Sequence, residues 1–432
     1  MNTALVIEDV RLTPILVSDP PLLNTQGVHQ PYTPRLIVEV VTRGGATGVG
    51  ETYGDGAYLE PARSLAEALP GRAVTDLNGL FALADEVCDG SHATADDRVD
   101  AGGLRGVRNA GKIRLSVVSA FEVACLDALG RAQGLPVHAL LGGKVRDSVE
   151  YSAYLFYRWA AHPASGERDD WGAALDPAGV VAQARRFADT YGFGSFKLKG
   201  GVFEPDREIA AVRALAEAFP GRPLRLDPNG AWSVPTSLYV AEQLKGVLEY
   251  LEDPTSGTDN MAAVAVAAAT DVPLATNMCV TTLAEIPEAF ARDAVRIVLS
   301  DHHYWGGLHR TRELAGICRT FGVGLSMHSN THLGISLAAM THVAATVPDL
   351  AYACDSHYPW QTEDVITERH TFTGGRLTVS DAPGLGVELD RDRLAALHRR
   401  WLEDDGTHRE RDDAAAMRVA DPDWTTPAVP RW

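Results

Sequence analysis

The chain has 432 residues, 45% hydrophobic and 22% charged, which is ample apolar material for a large core divided over two or three domains. A formal net charge of −18 argues against nucleic acid or an anionic membrane surface as a partner, because both recruit Lys and Arg to phosphate. An anionic substrate would need a local positive site against this acidic background.

Cys88, Cys125, Cys279, Cys318 and Cys354 are widely spaced and form no CxxC pair, so neither a disulfide framework nor a zinc cage is expected. Glu8 and Asp9 interrupt the stretch that a signal peptide would keep apolar, and no run of about 18 apolar residues occurs. A soluble cytoplasmic protein is the expectation.

In chain order, residues 10–54 read as strands, ending in a hairpin from Leu36 to Tyr53 about the Gly44-Gly45 turn. Two helices are predicted between 60 and 135, the second burying Phe121, Ala124, Cys125 and Leu129 and stopping near Gly134 and Pro136. This makes an α+β capping domain over residues 1–145.

From Val149 the pattern changes to eight short apolar runs alternating with helical stretches. The runs are Val149–Phe156, Ser195–Lys199, Pro223–Asp227, Val247–Asp253, Pro273–Asn277, Ala294–Asp301, Gly322–His328 and Leu350–Asp355. The helix after the second run has Pro205 at its start, Ile209, Val212 and Leu215 on one face and Gly221 beyond its end. Eight such units predict a modified (β/α)8 barrel of the TIM type over residues 146–380, an α/β fold. Residues 381–432, with Leu394, Leu397 and Trp401 in helical phase, are expected to pack back on the capping domain and complete it.

Lys199, Asp227, Glu252, Asn277, Asp301 and His328 end successive runs and are separated by 28, 25, 25, 24 and 27 residues. One strand, one helix and two short loops sum to roughly 25 residues, so all six should stand at one height at the C-terminal mouth of the barrel, where such enzymes keep their chemistry. Taken singly, each acid could be a helix cap or a surface charge.

Asp227, Glu252 and Asn277 would give a hard cation such as Mg²⁺ three oxygen ligands. Lys197 and Lys199, two apart in a strand, share a face. Burial, like charge and a cation nearby should lower a lysine there by about 3 units, enough to make it a base. Asp301 next to His328 should hold the imidazole tautomer and raise its basicity. A base then stands on each side of the metal, which suits removal of a proton α to a carboxylate while a cation neutralises the developing charge. The competing readings are metal-dependent hydrolysis built on His302, His303, His328 and His332, and a catalytically silent binder.

The strings Phe196-Lys-Leu-Lys-Gly-Gly, Leu226-Asp-Pro-Asn-Gly-Ala-Trp, Glu252-Asp-Pro, Ala275-Thr-Asn-Met, Leu299-Ser-Asp and His328-Ser-Asn resemble the glucarate dehydratases of the enolase superfamily over almost the whole chain. Asn277, where most of the superfamily has a carboxylate, matches that subgroup. The resemblance implies an Mg²⁺-dependent hydro-lyase acting on a dicarboxylic acid sugar, with Lys199 as one base and His328, paired with Asp301, as the other. It further implies Lys197 as an electrostatic assistant, Asn229 as an orienting group, and Asn24, His29, Tyr154, Ser329, His357 and Arg411 as substrate contacts. Homo-oligomers are common among such relatives. Ile113 and Arg114 depart from the pattern, because relatives carry small hydroxyl residues there.

Overall fold

The computed structural model describes residues 2–88, 110–163, 166, 168–268 and 272–432. Strands β1 (Ile7–Ser18), β2 (Tyr32–Thr42) and β3 (Thr47–Tyr53) form an antiparallel sheet. Helices α1 (Gly56–Ala68), α2 (Leu77–Val87) and α3 (Ala110–Gln133) follow, three among the described residues where two are predicted. Pro70-Gly71 breaks the helical run after α1, and the Asp76 carboxylate restarts it by accepting the Gly79 N–H.

Gly48 and Gly50 of β3 let α3 lie directly on the sheet. A Cβ at either would come within 2.0 Å of the Ala124 or 1.9 Å of the Ala120 carbonyl oxygen. The buried α3 residues Phe121, Ala124 and Cys125 fill the seam.

After the short helix α4 (Val137–Leu140), the barrel runs β4 (Ser148–Phe156), α5 (Pro177–Tyr191), β5 (Phe196–Lys199), α6 (Pro205–Ala218), β6 (Leu224–Asp227), α7 (Val234–Gln243), β7 (Tyr250–Glu252), α8 (Thr258–Ala268) and β8 (Leu274–Thr276). It continues with α9 (Ile286–Ala291), β9 (Ile297–Ser300), α10 (His302–Trp305), α11 (Leu308–Phe321), β10 (Gly324–Met327), α12 (Gly334–Ala345) and β11 (Cys354–Ser356). The eight strands β4 to β11 pair in parallel in the order β11-β4-β5-β6-β7-β8-β9-β10. A bridge between Leu325 and Leu350 closes the ring, and the Ser326 hydroxyl lies 3.2 and 3.0 Å from the Tyr352 and Ala353 carbonyl oxygens. That side-chain contact takes the place of a ladder, so the last strand is Cys354–Ser356 and not the predicted Leu350–Asp355.

The barrel is modified at its end. Strand β12 (Arg376–Thr378) pairs antiparallel with β4, and α13 (Arg391–Glu403) packs on β1 with Leu394 and Leu397 buried. Helix α14 (Asp413–Ala420) lies beside the 24–30 loop, where Asp413 binds Asn24 and the Gln30 N–H. Glu51 of β3 ties the small sheet to the barrel. Its carboxylate pairs with Arg35 and accepts the Leu333 and Ser336 N–H groups at the start of α12. Among the described residues, no helix is long and apolar enough to cross a membrane.

His342, buried on α12, is held neutral. Its Nδ1 accepts the His138 N–H at 3.2 Å, and its Nε2 faces the Leu385 carbonyl oxygen at 3.1 Å. Burial pushes it from 6.5 down to about 4. The unfolded chain therefore takes up a proton here that the folded chain refuses, so stability falls as pH drops from about 6.5 to about 4. At roughly 1.4 kcal/mol per pH unit this is a loss of about 3 kcal/mol. Urea midpoints at pH 7 and 4.5 check it, with His342→Gln showing a smaller drop than the parent chain. Equal drops would contradict the assignment.

Candidate active site

The six in-phase residues do gather at the C-terminal mouth of the barrel. Lys199 and Asp227 are the last residues of β5 and β6, Glu252 ends β7, and Asn277, Asp301 and His328 directly follow β8, β9 and β10. All six are buried. The turns that follow are held in unusual backbone: Asn229, Asp253 and Thr331 have φ of 52°, 35° and 48°. Left-handed backbone at non-glycine residues costs of order 1–3 kcal/mol and gathers at functional sites.

Lys199 Nζ binds Asp227 Oδ2 at 2.5 Å, while Lys197 pairs with Glu252 and, at 2.5 Å, with Asp355 Oδ2. Both Nζ atoms lie over the Tyr154 ring, 4.9 and 5.2 Å from its centroid, and the Tyr154 hydroxyl donates to Asp355 at 2.8 Å. Burial alone would lower Lys197, but the Asp355 and Glu252 carboxylates outweigh it and hold this lysine above its usual range. The predicted lowering is therefore corrected for Lys197, because the carboxylates closest to it dominate over its like-charged neighbour.

Burial and the neighbouring Asp227 charge push Glu252 well up. Burial would also raise Asp227, yet Lys199 and Lys197 hold it below the ordinary carboxylate range. One carboxamide heteroatom of Asn277 lies 3.3 Å from Glu252 Oε1 and 2.9 Å from Asp253 Oδ2, and the other lies 3.0 Å from His328 Nε2. The amide nitrogen on the carboxylates satisfies this arrangement by hydrogen bonding, and the amide oxygen there satisfies it with a cation between. Crowded, buried oxygens of this kind fit a hard divalent cation.

His328 Nδ1 faces Asp301 Oδ2 at 3.2 Å, and the Tyr304 ring stacks on the imidazole at 5.9 Å. Burial outweighs the contact with Asp301 and brings His328 down to about 4, so the expected gain in basicity is overridden by desolvation. The imidazole is neutral at pH 7, the form able to accept a proton.

The histidines proposed for a hydrolytic metal centre arrange differently. His302, His303 and His332 surround Asp301, with His303 on Oδ1 at 2.8 Å and His332 on Oδ2 at 3.3 Å, and His328 shares Oδ2 while facing Asn277.

The outer group of predicted residues is also assembled. His29 and His357 stack 6.2 Å apart, and the Nε2 atom of each is buried without a hydrogen-bond partner, as is Asn229 Oδ1. Such orphaned polar atoms mark where a polar ligand would be received. The Ser329 hydroxyl accepts the His357 N–H at 3.3 Å. The Arg411 guanidinium lies 3.1 Å from Asp413 and 3.5 Å from Asp19. Asn24 accepts the Gln26 and Gly27 N–H groups within its own loop and donates to Asp413 of α14. Ile113 belongs to the hydrophobic core, and Arg114 pairs with Asp85 of α2.

Three residues escaped the sequence reading. Asp355 stands 27 residues after His328 and so continues the same rhythm. Asp19, buried between His29 at 3.2 Å and Thr33 at 2.6 Å, and Lys112, 5.0 Å from the Tyr304 ring centroid, carry no spacing signal.

A barrel that gathers Lys199, Asp227, Glu252, Asn277, Asp301 and His328 at its mouth has the donor set of an enzyme that uses a hard cation. Residues 10–142 match the mandelate racemase / muconate lactonizing enzyme N-terminal domain, and residues 179–393 match the enolase C-terminal domain-like family. The chain is 75% identical, over the full length of both, to a Streptomyces coelicolor protein named probable glucarate dehydratase. It matches the crystal structure of an enolase from Thermobispora bispora complexed with magnesium and formate at a TM-score of 0.93 and 53% identity, covering 99% of this chain and 100% of that one. An enolase from Mycobacterium smegmatis complexed with tartrate gives 0.92 and 54%, covering 99% and 98%. The chain belongs to the glucarate dehydratase family of the enolase superfamily, and it is an enzyme of that superfamily. The hydrolase reading is set aside with that membership.

Proposed function

We propose that the chain is an Mg²⁺-dependent acid-sugar dehydratase that converts D-glucarate to 5-dehydro-4-deoxy-D-glucarate. The observation that carries this reading is the cluster of Asp227, Glu252 and Asn277, with Lys199 on the Asp227 side and His328 on the Asn277 side. Magnesium in the Thermobispora bispora relative supports the metal, and tartrate, a hydroxylated dicarboxylate, in the Mycobacterium smegmatis relative supports the substrate class.

Mg²⁺ held by Asp227, Glu252 and Asn277 would neutralise charge that develops on the substrate carboxylate. Lys199 takes the α-proton of one configuration and neutral His328 that of the other, and the β-hydroxyl, protonated by the ammonium or imidazolium so formed, then leaves as water. Lys197 places a positive charge beside the reacting carboxylate, and Asn229 orients the adjacent hydroxyl. His29, His357 and Arg411 receive the distal carboxylate and hydroxyls, with Tyr154 and Ser329 shaping the pocket between.

Purified protein with Mg²⁺ should form α-keto acid from D-glucarate in a semicarbazide assay run beside L-idarate and galactarate. Turnover of galactarate alone would keep the chemistry and overturn the substrate. Silence across the panel with Mg²⁺ bound would favour a silent acid-sugar binder.

A further inference from the structure

We propose that Asp301, His302, His303 and His332 form a second metal site, suited to a nitrogen-preferring ion such as Zn²⁺ or Co²⁺ and separate from the Asp227, Glu252 and Asn277 set. One ligand atom from each of the four residues lies within 4.8 Å of the others, and all four side chains are buried. The imidazole centroids are 4.1, 4.8 and 5.3 Å apart. Nδ1 of His302 and Nδ1 of His332 have no hydrogen-bond partner, and Nε2 of His332 faces Asp301 Oδ2 at 3.3 Å without forming a hydrogen bond. Two buried nitrogens left unpaired cost free energy unless something satisfies them.

His303 supplies the decisive geometry. Its Nε2 is 3.0 Å from the Glu51 carbonyl oxygen, with the Ser336 hydroxyl 3.1 Å away. A carbonyl oxygen only accepts, so the proton sits on Nε2, and a neutral ring then turns its Nδ1 lone pair toward Asp301 Oδ1 at 2.8 Å. Two acceptors facing each other need a cation between them, either a proton or a metal. A ligating imidazole is usually oriented by donating its outer N–H to a backbone carbonyl, the arrangement His303 has. Three imidazoles and one carboxylate suit Zn²⁺ or Co²⁺, whereas Mg²⁺ requires oxygens.

Asp301 Oδ2 is also the partner of His328 Nδ1 at 3.2 Å. An ion at this centre competes with His328 for that carboxylate, so the site is inhibitory.

The test is a Co²⁺ titration of the full chain in excess Mg²⁺, read by visible d–d absorption. One equivalent should bind with the bands of nitrogen-coordinated Co²⁺. His302→Ala and His332→Ala should each weaken it at least about tenfold, while Asp227→Asn leaves it intact. Retained Mg²⁺ binding by the histidine variants shows that they are folded. No nitrogen-type bands, bands abolished by Asp227→Asn, or bands unchanged in both histidine variants would overturn the site.

Discussion

Asp227→Asn is expected to remove measurable Mg²⁺ binding and to lower kcat on the proposed hexarate by about 10³-fold. Of the two proposed carboxylate ligands, Asp227 is the one held below the ordinary range, since Lys199 and Lys197 outweigh its burial. Asparagine keeps its shape and its acceptor toward the Asn229 N–H but removes the charge. A cation contributes several kcal/mol to stabilising charge in such a reaction, and about 4 kcal/mol corresponds to roughly 10³ in rate. The same change strips Lys199 of its buried partner, so a lower melting temperature should accompany it. Calorimetric titration with Mg²⁺ separates the effects: unchanged affinity would remove Asp227 from the ligand set.

The second large effect concerns the two bases. Lys199→Ala and His328→Asn should each lower turnover by about 10²–10⁴-fold, the usual contribution of a positioned acid or base. The losses should fall on different substrates. Lys199 stands with Asp227, whereas His328 lies against Asn277 and is braced by Asp301. A substrate of one α-configuration should therefore be spared by one variant and lost with the other, when D-glucarate and L-idarate are compared by α-keto acid formation. Equal losses on both would contradict the division of labour.

Much of this site is legible in the sequence because barrel units have nearly constant length. Strand, helix and loop sum to the same count each time, so Lys199, Asp227, Glu252, Asn277, Asp301 and His328 declare their common height by spacing alone. Asp355 obeys the same rule and was recoverable from it. Contacts that join distant parts of the chain leave no such trace. The Asp19 contact with Arg411 spans 392 residues, and the hold of Glu51 on α12 spans 282 and 285. Ionisation is hidden for a different reason: it follows from distances. Two lysines on one strand face suggest mutual lowering, yet Lys197 is raised because Asp355 and Glu252 sit closer to it than bulk spacing can reveal. The division into α1 and α2 was missed because Pro70-Gly71 and the Asp76 cap act over only a few residues inside an otherwise continuous helical pattern.

The claim on which the functional account rests is that two bases address opposite faces of one α-carbon. The most direct measurement is proton NMR of D-glucarate and L-idarate in D2O with Mg²⁺ and each single-base variant. The account predicts that His328→Asn still exchanges the α-proton on the Lys199 face and that Lys199→Ala still exchanges it on the His328 face. Loss of exchange on both faces in either variant, with Mg²⁺ still bound, would contradict it.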